Sequence, residues 1–243
     1  MAGQHLGRAC AGRAPARLLL ALALLVAAIS PARAAAACRA DQIPVPPGGT
    51  VTFEGDSLTY GFDRTETHGL PPINAYPMSR SRLPFPEEVG RLLGGGVAVV
   101  NHGYPGDRSA EGLARWRDAP TTALTVILFG TNDFGNYGRL PEGPLDPAAF
   151  RKGLDALVDR RLAQGGRVLL LTPPPLGNAE ADMRLETYRA VVRQVAQARG
   201  LPLLDTGAAM RGVDPAWTDR LHLSQPANAA IAAAVVQLIC LAR

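Results

Sequence analysis

Five short runs of branched aliphatic residues punctuate the chain, and they restrict how it can fold more than any other feature. They are "VTFEG" (Val51–Gly55), "VAVVN" (Val97–Asn101), "LTVILFG" (Leu124–Gly130), "RVLLLT" (Arg167–Thr172) and "LPLLD" (Leu201–Asp205). Such runs, short and without sustained polar alternation, suit strands that are covered on both faces, as in a parallel sheet. Helical patterns lie between and after them. Pro86–Leu93 is short; Pro147–Gln164 repeats apolar residues at Phe150, Leu154, Leu157, Val158 and Leu162. Glu180–Arg199 does the same with Met183, Tyr188, Val191, Val192 and Val195, and "ANAAIAAAVVQLICLA" closes the chain as a final helix. Strands alternating with helices predict a three-layer α/β/α sandwich around a five-stranded parallel sheet. No internal repeat and no linker divides it.

Residues 1–34 stand apart. Arg8, Arg13 and Arg17 precede the apolar run Leu18–Ile29, which is followed by Ser30, Pro31 and the small-residue "ARA" ending at Ala34. Basic segment, apolar core and small residues in that order predict a secretory signal peptide, and the apolar core is shorter than the roughly 20 residues of a membrane span. The remainder, 35–243, is expected to be a single domain, secreted or periplasmic, with no stable membrane span once the leader is cleaved. The leader also accounts for the basic balance of the chain. Four of the 25 basic residues, Arg8, Arg13, Arg17 and Arg33, lie in it with no acid, which leaves 21 against 21 acids. A nucleic-acid partner, which requires a clustered basic footprint, loses its support. Lys152 is the only lysine against many arginines, a bias that suits a GC-rich bacterial genome. Cys38 and Cys240 remain near the two ends of the mature chain. They can bridge the termini in an oxidising compartment or remain free thiols, and the sequence leaves both open.

In open parallel sheets ligands bind beyond the carboxyl ends of the strands. Three polar, glycine-bearing corners converge there: Gly55-Asp56-Ser57, "NHGYPGD" (Asn101–Asp107) and "GTND" (Gly130–Asp133). Ser57 becomes a nucleophile if a base lies within hydrogen-bond reach and a third group orients that base. The mature chain offers His68, His102 and His222, and His222 has an acid three residues before it, Asp219 in "DRLH", which could hold one ring nitrogen while the other faces Ser57. A tetrahedral intermediate further needs donors for its oxyanion. The Ser57 backbone N–H, the backbone N–H of Gly103 and the side-chain amide of Asn132 are the candidates. Asp56 and Asp133 read as turn residues beside the site, not as catalytic acids.

These corners, "GDSL" at Gly55–Leu58, Gly103 in "NHGYPG", Asn132 in "GTND", and Asp219 with His222 in "DRLH", resemble in order and rough spacing the four blocks of the SGNH hydrolases, the GDSL esterase/lipase family. The resemblance spans essentially the whole mature chain. It implies a flavodoxin-like sheet and metal-free, cofactor-free hydrolysis of carboxylic esters. It assigns Ser57 as nucleophile, Asp219 and His222 as its support and base, and Gly103 and Asn132 as oxyanion donors beside the Ser57 N–H. The sequence departs from the family after His222, where "HLSQPANAA" carries Ala and Asn near a frequent glycine. It also lacks the second glycine of the Gly-x-Ser-x-Gly elbow of the other large esterase fold.

Low aromatic content and the lack of a long exposed apolar stretch favour small acyl groups, such as acetyl on a glycan or another small-molecule ester. A lysophospholipase or thioesterase, an O-acyltransferase and a non-catalytic glycan-binding module are the alternatives. The irregular, proline-bearing stretch Phe62–Phe85, with Tyr76, Met78, Arg80, Arg82 and Phe85, either shapes the pocket or is a solvated loop.

Overall fold

The computed structural model describes residues 38–135, 141 and 143–242, so the leader assigned to 1–34 lies outside the described residues. In chain order the elements are β1 (Ile43–Val45), β2 (Thr50–Gly55), α1 (Ser57–Tyr60), α2 (Phe85–Leu92), β3 (Ala98–Gly103), α3 (Ser109–Arg115), β4 (Leu124–Leu128) and α4 (Thr131–Gly135). They continue with α5 (Pro147–Ala163), β5 (Arg167–Leu171), α6 (Ala179–Arg199), β6 (Leu203–Leu204), α7 (Thr206–Ala209), α8 (Gln225–Gln237) and β7 (Ile239–Leu241).

The apolar runs form one sheet of five parallel strands in the order β3-β2-β4-β5-β6. Alternate residues along each strand face opposite sides, so a run without polar alternation needs a cover on both. Val51, Phe53, Val126, Leu128, Leu169 and Leu171 pack with Phe85 and Val89 of α2 and Ile231 and Val235 of α8. Ile127, Val168 and Leu170 pack on the other side with Phe150, Leu154 and Leu157 of α5 and Leu185 and Val192 of α6. The predicted three-layer, flavodoxin-like sandwich is the observed one. After β2 the chain builds β3 on one side and then crosses to β4 on the other, so the sheet reverses its winding at β2. That switch opens a crevice at the carboxyl ends of β2, β3 and β4.

Details depart from the sequence reading for identifiable reasons. The closing helix stops at Gln237, and Ile239–Leu241 leaves it to pair in parallel with Ile43–Val45, a strand outside the five apolar runs. Cys38 and Cys240 are joined in a disulfide beside this two-stranded ribbon, which settles the open alternative. The fifth strand shrinks to Leu203–Leu204 because Pro202 has no N–H to donate and only its carbonyl joins the ladder, accepting from Leu170 N–H. Two residues counted toward apolar helix faces, Met183 at 71% and Leu162 at 39%, are exposed. Strand β2 is not purely apolar: Glu54 is fully buried in it and paired with Arg160 and Arg161 of α5.

Candidate active site

Strand β2 ends at Gly55, and Asp56 caps the single turn α1 by accepting a hydrogen bond from Leu58 N–H at 2.9 Å. A short acidic side chain is suited to this, because the first backbone N–H groups of a helix have no partner within it. Ser57 is thereby the first residue of the turn, lifted off the strand end. His222 arrives from the loop between α7 and α8, and its Nε2 lies 3.1 Å from Ser57 Oγ. Its Nδ1 lies 2.7 Å from Asp219 Oδ2, while Asp219 Oδ1 accepts from the His222 backbone N–H at 2.8 Å and from Leu221 N–H at 3.2 Å. Burial pushes the Asp219 carboxyl upward, but the hydrogen bonds from the His222 backbone and ring outweigh it and hold the group below its ordinary value. An ionised Asp219 keeps the proton on Nδ1 and leaves the Nε2 lone pair facing Ser57. The Phe62 ring lies 4.7 Å from the imidazole, centroid to centroid, and closes its other side.

Ser57, His222 and Asp219 line one open cleft of about 570 Å³ together with Asn132, Gly106, Pro105, Phe62, Arg64, Tyr76 and Leu221. Asn132 Nδ2 donates to Asp107 O at 3.0 Å, which fixes the amide and leaves its second N–H to the cleft. Gly103 is a correction. Its N–H donates to Asn101 Oδ1 at 2.9 Å, and its Cα packs so tightly on α1 that an added Cβ would lie 2.1 Å from Tyr60 N. Gly103 therefore seats α1 on β3 and is absent from the cleft lining, whereas Gly106, in a left-handed conformation with φ 87°, lies at the cleft. A second depression, of about 540 Å³ between Ala40–Pro44 and Gly200–Pro202, is at the amino ends of β5 and β6, away from Ser57.

The other candidates fall outside the cleft. His68 is exposed on its loop. His102 is stacked on Trp116 with centroids 4.0 Å apart, and burial lowers its ring to about 4, so it is neutral at pH 7. Asp56 and Asp133 are buried supports: burial raises them to about 7 and about 6, and Asp133 accepts from Ser109 N–H and Oγ, tying α3 to α4.

Residues 53–230 match the family model of GDSL-like lipases/acylhydrolases. The chain belongs to this family. Among solved structures it is similar to a lipase/acylhydrolase from Enterococcus faecalis, at 26% identity and a TM-score of 0.62 over 78% of this chain and 94% of that one. It is likewise similar to an acetylxylan esterase from Geobacillus stearothermophilus, at 26% identity and a TM-score of 0.65 over 82% and 97% of the two chains. An aryl esterase of M. smegmatis, at 19% identity, a TM-score of 0.60 and 78% and 97% coverage, shares the fold. No curated protein matches the chain.

As a GDSL-family member the protein hydrolyses ester bonds. No helix among its described residues is long and apolar enough to cross a membrane. Of the five residues singled out in the irregular segment, only Tyr76 lines the cleft of this GDSL hydrolase. Phe85 opens α2 in the core, Arg80 is buried against Glu87, Arg82 pairs with Glu66 at the surface, and Met78 is exposed. The segment still shapes the site, because Phe62 and Arg64 belong to it. Arg64 has its guanidinium 5.6 Å from the Phe62 ring centroid and no carboxylate partner among the described residues. A signal for Gly106 existed in "YPGD", a proline-glycine pair that marks a turn at the strand end.

Proposed function

We propose that the protein is an exported serine esterase that removes small acyl groups, acetyl foremost, from a carbohydrate or another envelope or extracellular ester. In this mechanism His222 Nε2 takes the Ser57 proton as Oγ attacks the ester carbonyl. Ser57 N–H, Gly106 N–H and the Asn132 amide hold the oxyanion, with Gly106 replacing Gly103 in that role. His222 then gives its proton to the departing alcohol, and water clears the acyl-serine by the same route, deprotonated by His222. Asp219 stabilises the imidazolium formed in each half-reaction and does not itself take the proton.

The observation that carries this reading is the unbroken Asp219–His222–Ser57 hydrogen-bond chain opening on the cleft at the sheet's switch point. The preference for a short acyl group is supported by the open cleft, whose lining carries more polar than apolar side chains. The carbohydrate is supported by the likeness to an acetylxylan esterase. Export is supported by the signal-peptide pattern of residues 1–34 and by the Cys38–Cys240 disulfide, which persists in oxidising compartments.

Hydrolysis of 4-nitrophenyl acetate, butyrate and octanoate by the mature protein and its Ser57→Ala variant tests the reading. The expected result is turnover that falls along the series and disappears with Ser57, accompanied by release of acetate from acetylated xylo-oligosaccharides. Undiminished activity in Ser57→Ala would refute the mechanism, and a preference for octanoate would refute the substrate class.

A further inference from the structure

The strand β5 runs into "TPPPLGN", Thr172–Asn178. Pro173, Pro174 and Pro175 bring three carbonyls and no N–H, so this segment cannot brace itself with backbone hydrogen bonds. Side chains satisfy it from two directions. Arg189, a residue of α6 whose side chain is only 8% exposed, donates from Nε to Pro173 O at 2.8 Å and from Nη2 to Pro174 O at 3.0 Å. The same guanidinium reaches Asp182 O at 3.3 Å, Glu186 at 3.3 Å and the Asp182 carboxylate, which in turn accepts from Leu176 N–H at 2.8 Å. Pro175 O is taken from the opposite side by Trp217 Nε1, at 2.7 Å.

Trp217 stands two residues before Asp219. One residue past Asp219, Arg220 O accepts from Gly177 N–H at 2.8 Å, and Arg220 is held at φ 69°, a left-handed conformation costly for a side-chain-bearing residue. The 173–177 strap thus grips the turn that carries Asp219 on both sides of it. Within that turn Trp217 bridges Leu223, and Thr218 N–H donates to His222 O at 2.8 Å. The turn is a surface loop, with Asp219 and Arg220 exposed, and its link to Ser57 is a single hydrogen bond of 3.1 Å.

We propose that Arg189 and Trp217 are positioning residues that act through the 173–177 strap to hold the Asp219–His222 pair in register with Ser57. The proposal rests on the catalytic reading of that triad. A displacement of about 1 Å would carry the Nε2···Oγ contact beyond hydrogen-bond range, and misplacements of that size cost about 10²-fold in rate. Lysine cannot replace Arg189, because one ammonium cannot reproduce a fork spanning two carbonyls and a carboxylate.

The test uses Arg189→Lys and Trp217→Phe in the full chain, the second of which removes the indole N–H together with the fused five-membered ring and keeps an aromatic ring. Steady-state hydrolysis of 4-nitrophenyl acetate, measured well below each variant's Tm, should show kcat lower by about 10- to 100-fold with KM within twofold. The low-field proton resonance of His222 Nδ1–H, assigned by its loss in His222→Ala, should shift or broaden in both. Unchanged kcat, a change confined to KM, or an unmoved resonance in folded Trp217→Phe would overturn the proposal, including where Arg189→Lys fails to fold. The resonance needs no turnover, so the strap is judged even if the wild type hydrolyses no ester. The nucleophile is judged separately by Ser57→Ala.

Discussion

Replacing Asp56 by asparagine should change how stability depends on pH, by an amount that follows from its surroundings. Asp56 is 1% exposed; its Oδ1 caps α1, and its Oδ2 is buried without a hydrogen-bond partner. Burial, with the nearby Asp133 and Asp107 carboxylates adding to it, raises the group from 3.8 to about 7. Between those values the folded protein keeps a proton that the unfolded chain has released. The folded state then binds more protons, so this group's contribution to stability falls as pH rises, and is flat below about 4 and above about 7. At about 1.4 kcal/mol per pH unit, the loss between pH 5 and pH 8 is about 2.5 kcal/mol.

The wild-type curve alone would hide this, since His102 works in the opposite sense. Its ring, lowered to about 4, is neutral when the unfolded imidazole is still charged, so its contribution is complete above about 6.5 and is lost as pH falls toward 4. His102 is present in both proteins and cancels in the difference, while Asp133, which repels Asp56, enters it only through that interaction, a contribution smaller than burial. Asparagine retains the oxygen that caps Leu58 and does not titrate. Urea unfolding of wild type and Asp56→Asn at pH 5, 6, 7 and 8, with the disulfide intact, gives the difference directly. The variant should gain about 2.5 kcal/mol relative to wild type from pH 5 to pH 8. A difference that stays constant within about 0.5 kcal/mol would mean that Asp56 titrates as an ordinary carboxyl, and the argument from burial would fail.

Three further perturbations have defined outcomes. Gly103→Ala drives a methyl into the backbone of Thr59 and Tyr60 and should cost about 1–3 kcal/mol, a Tm loss of several degrees by calorimetry; a fully stable variant with kcat reduced about 10²-fold would return Gly103 to the oxyanion site. Glu54→Gln strands the buried Arg161 guanidinium and should cost about 3–5 kcal/mol in denaturant unfolding, and a loss below about 1 kcal/mol would show that the pair is not desolvated as its burial implies. Reducing Cys38–Cys240, which spans 202 residues of chain, should lower stability by about 2–5 kcal/mol yet leave kcat at 25 °C unchanged, because the ribbon it closes lies at the amino edge of the sheet, opposite Ser57.

What the sequence made legible, and what it did not, divides along physical lines. The five strands and the helices covering them were readable because burial on both faces leaves a continuous apolar run, a signal contained in the residues of each element. Ser57, Asn132, Asp219 and His222 were readable because strand-end corners and a carboxylate three residues from a histidine are local patterns too. Gly103 against Gly106 was not, since both glycines stand in one seven-residue corner, and only the packing of β3 on α1 decides which is spent on close approach. Glu54 was hidden for the same reason: a charge in a strand can be buried only if cations arrive from elsewhere, and Arg160 and Arg161 lie more than 100 residues away. The support of the Asp219 turn is non-local throughout. Three prolines read as a loop, and a buried arginine in a helix reads as a solvated one, until the fold sets them against each other. The residues assigned to the chemistry are thus marked in short motifs, while those proposed to hold them in place are marked only by partners distant in sequence. Variants far from any motif, Trp217→Phe among them, are therefore the ones from which the most can be learned about how this triad is kept aligned.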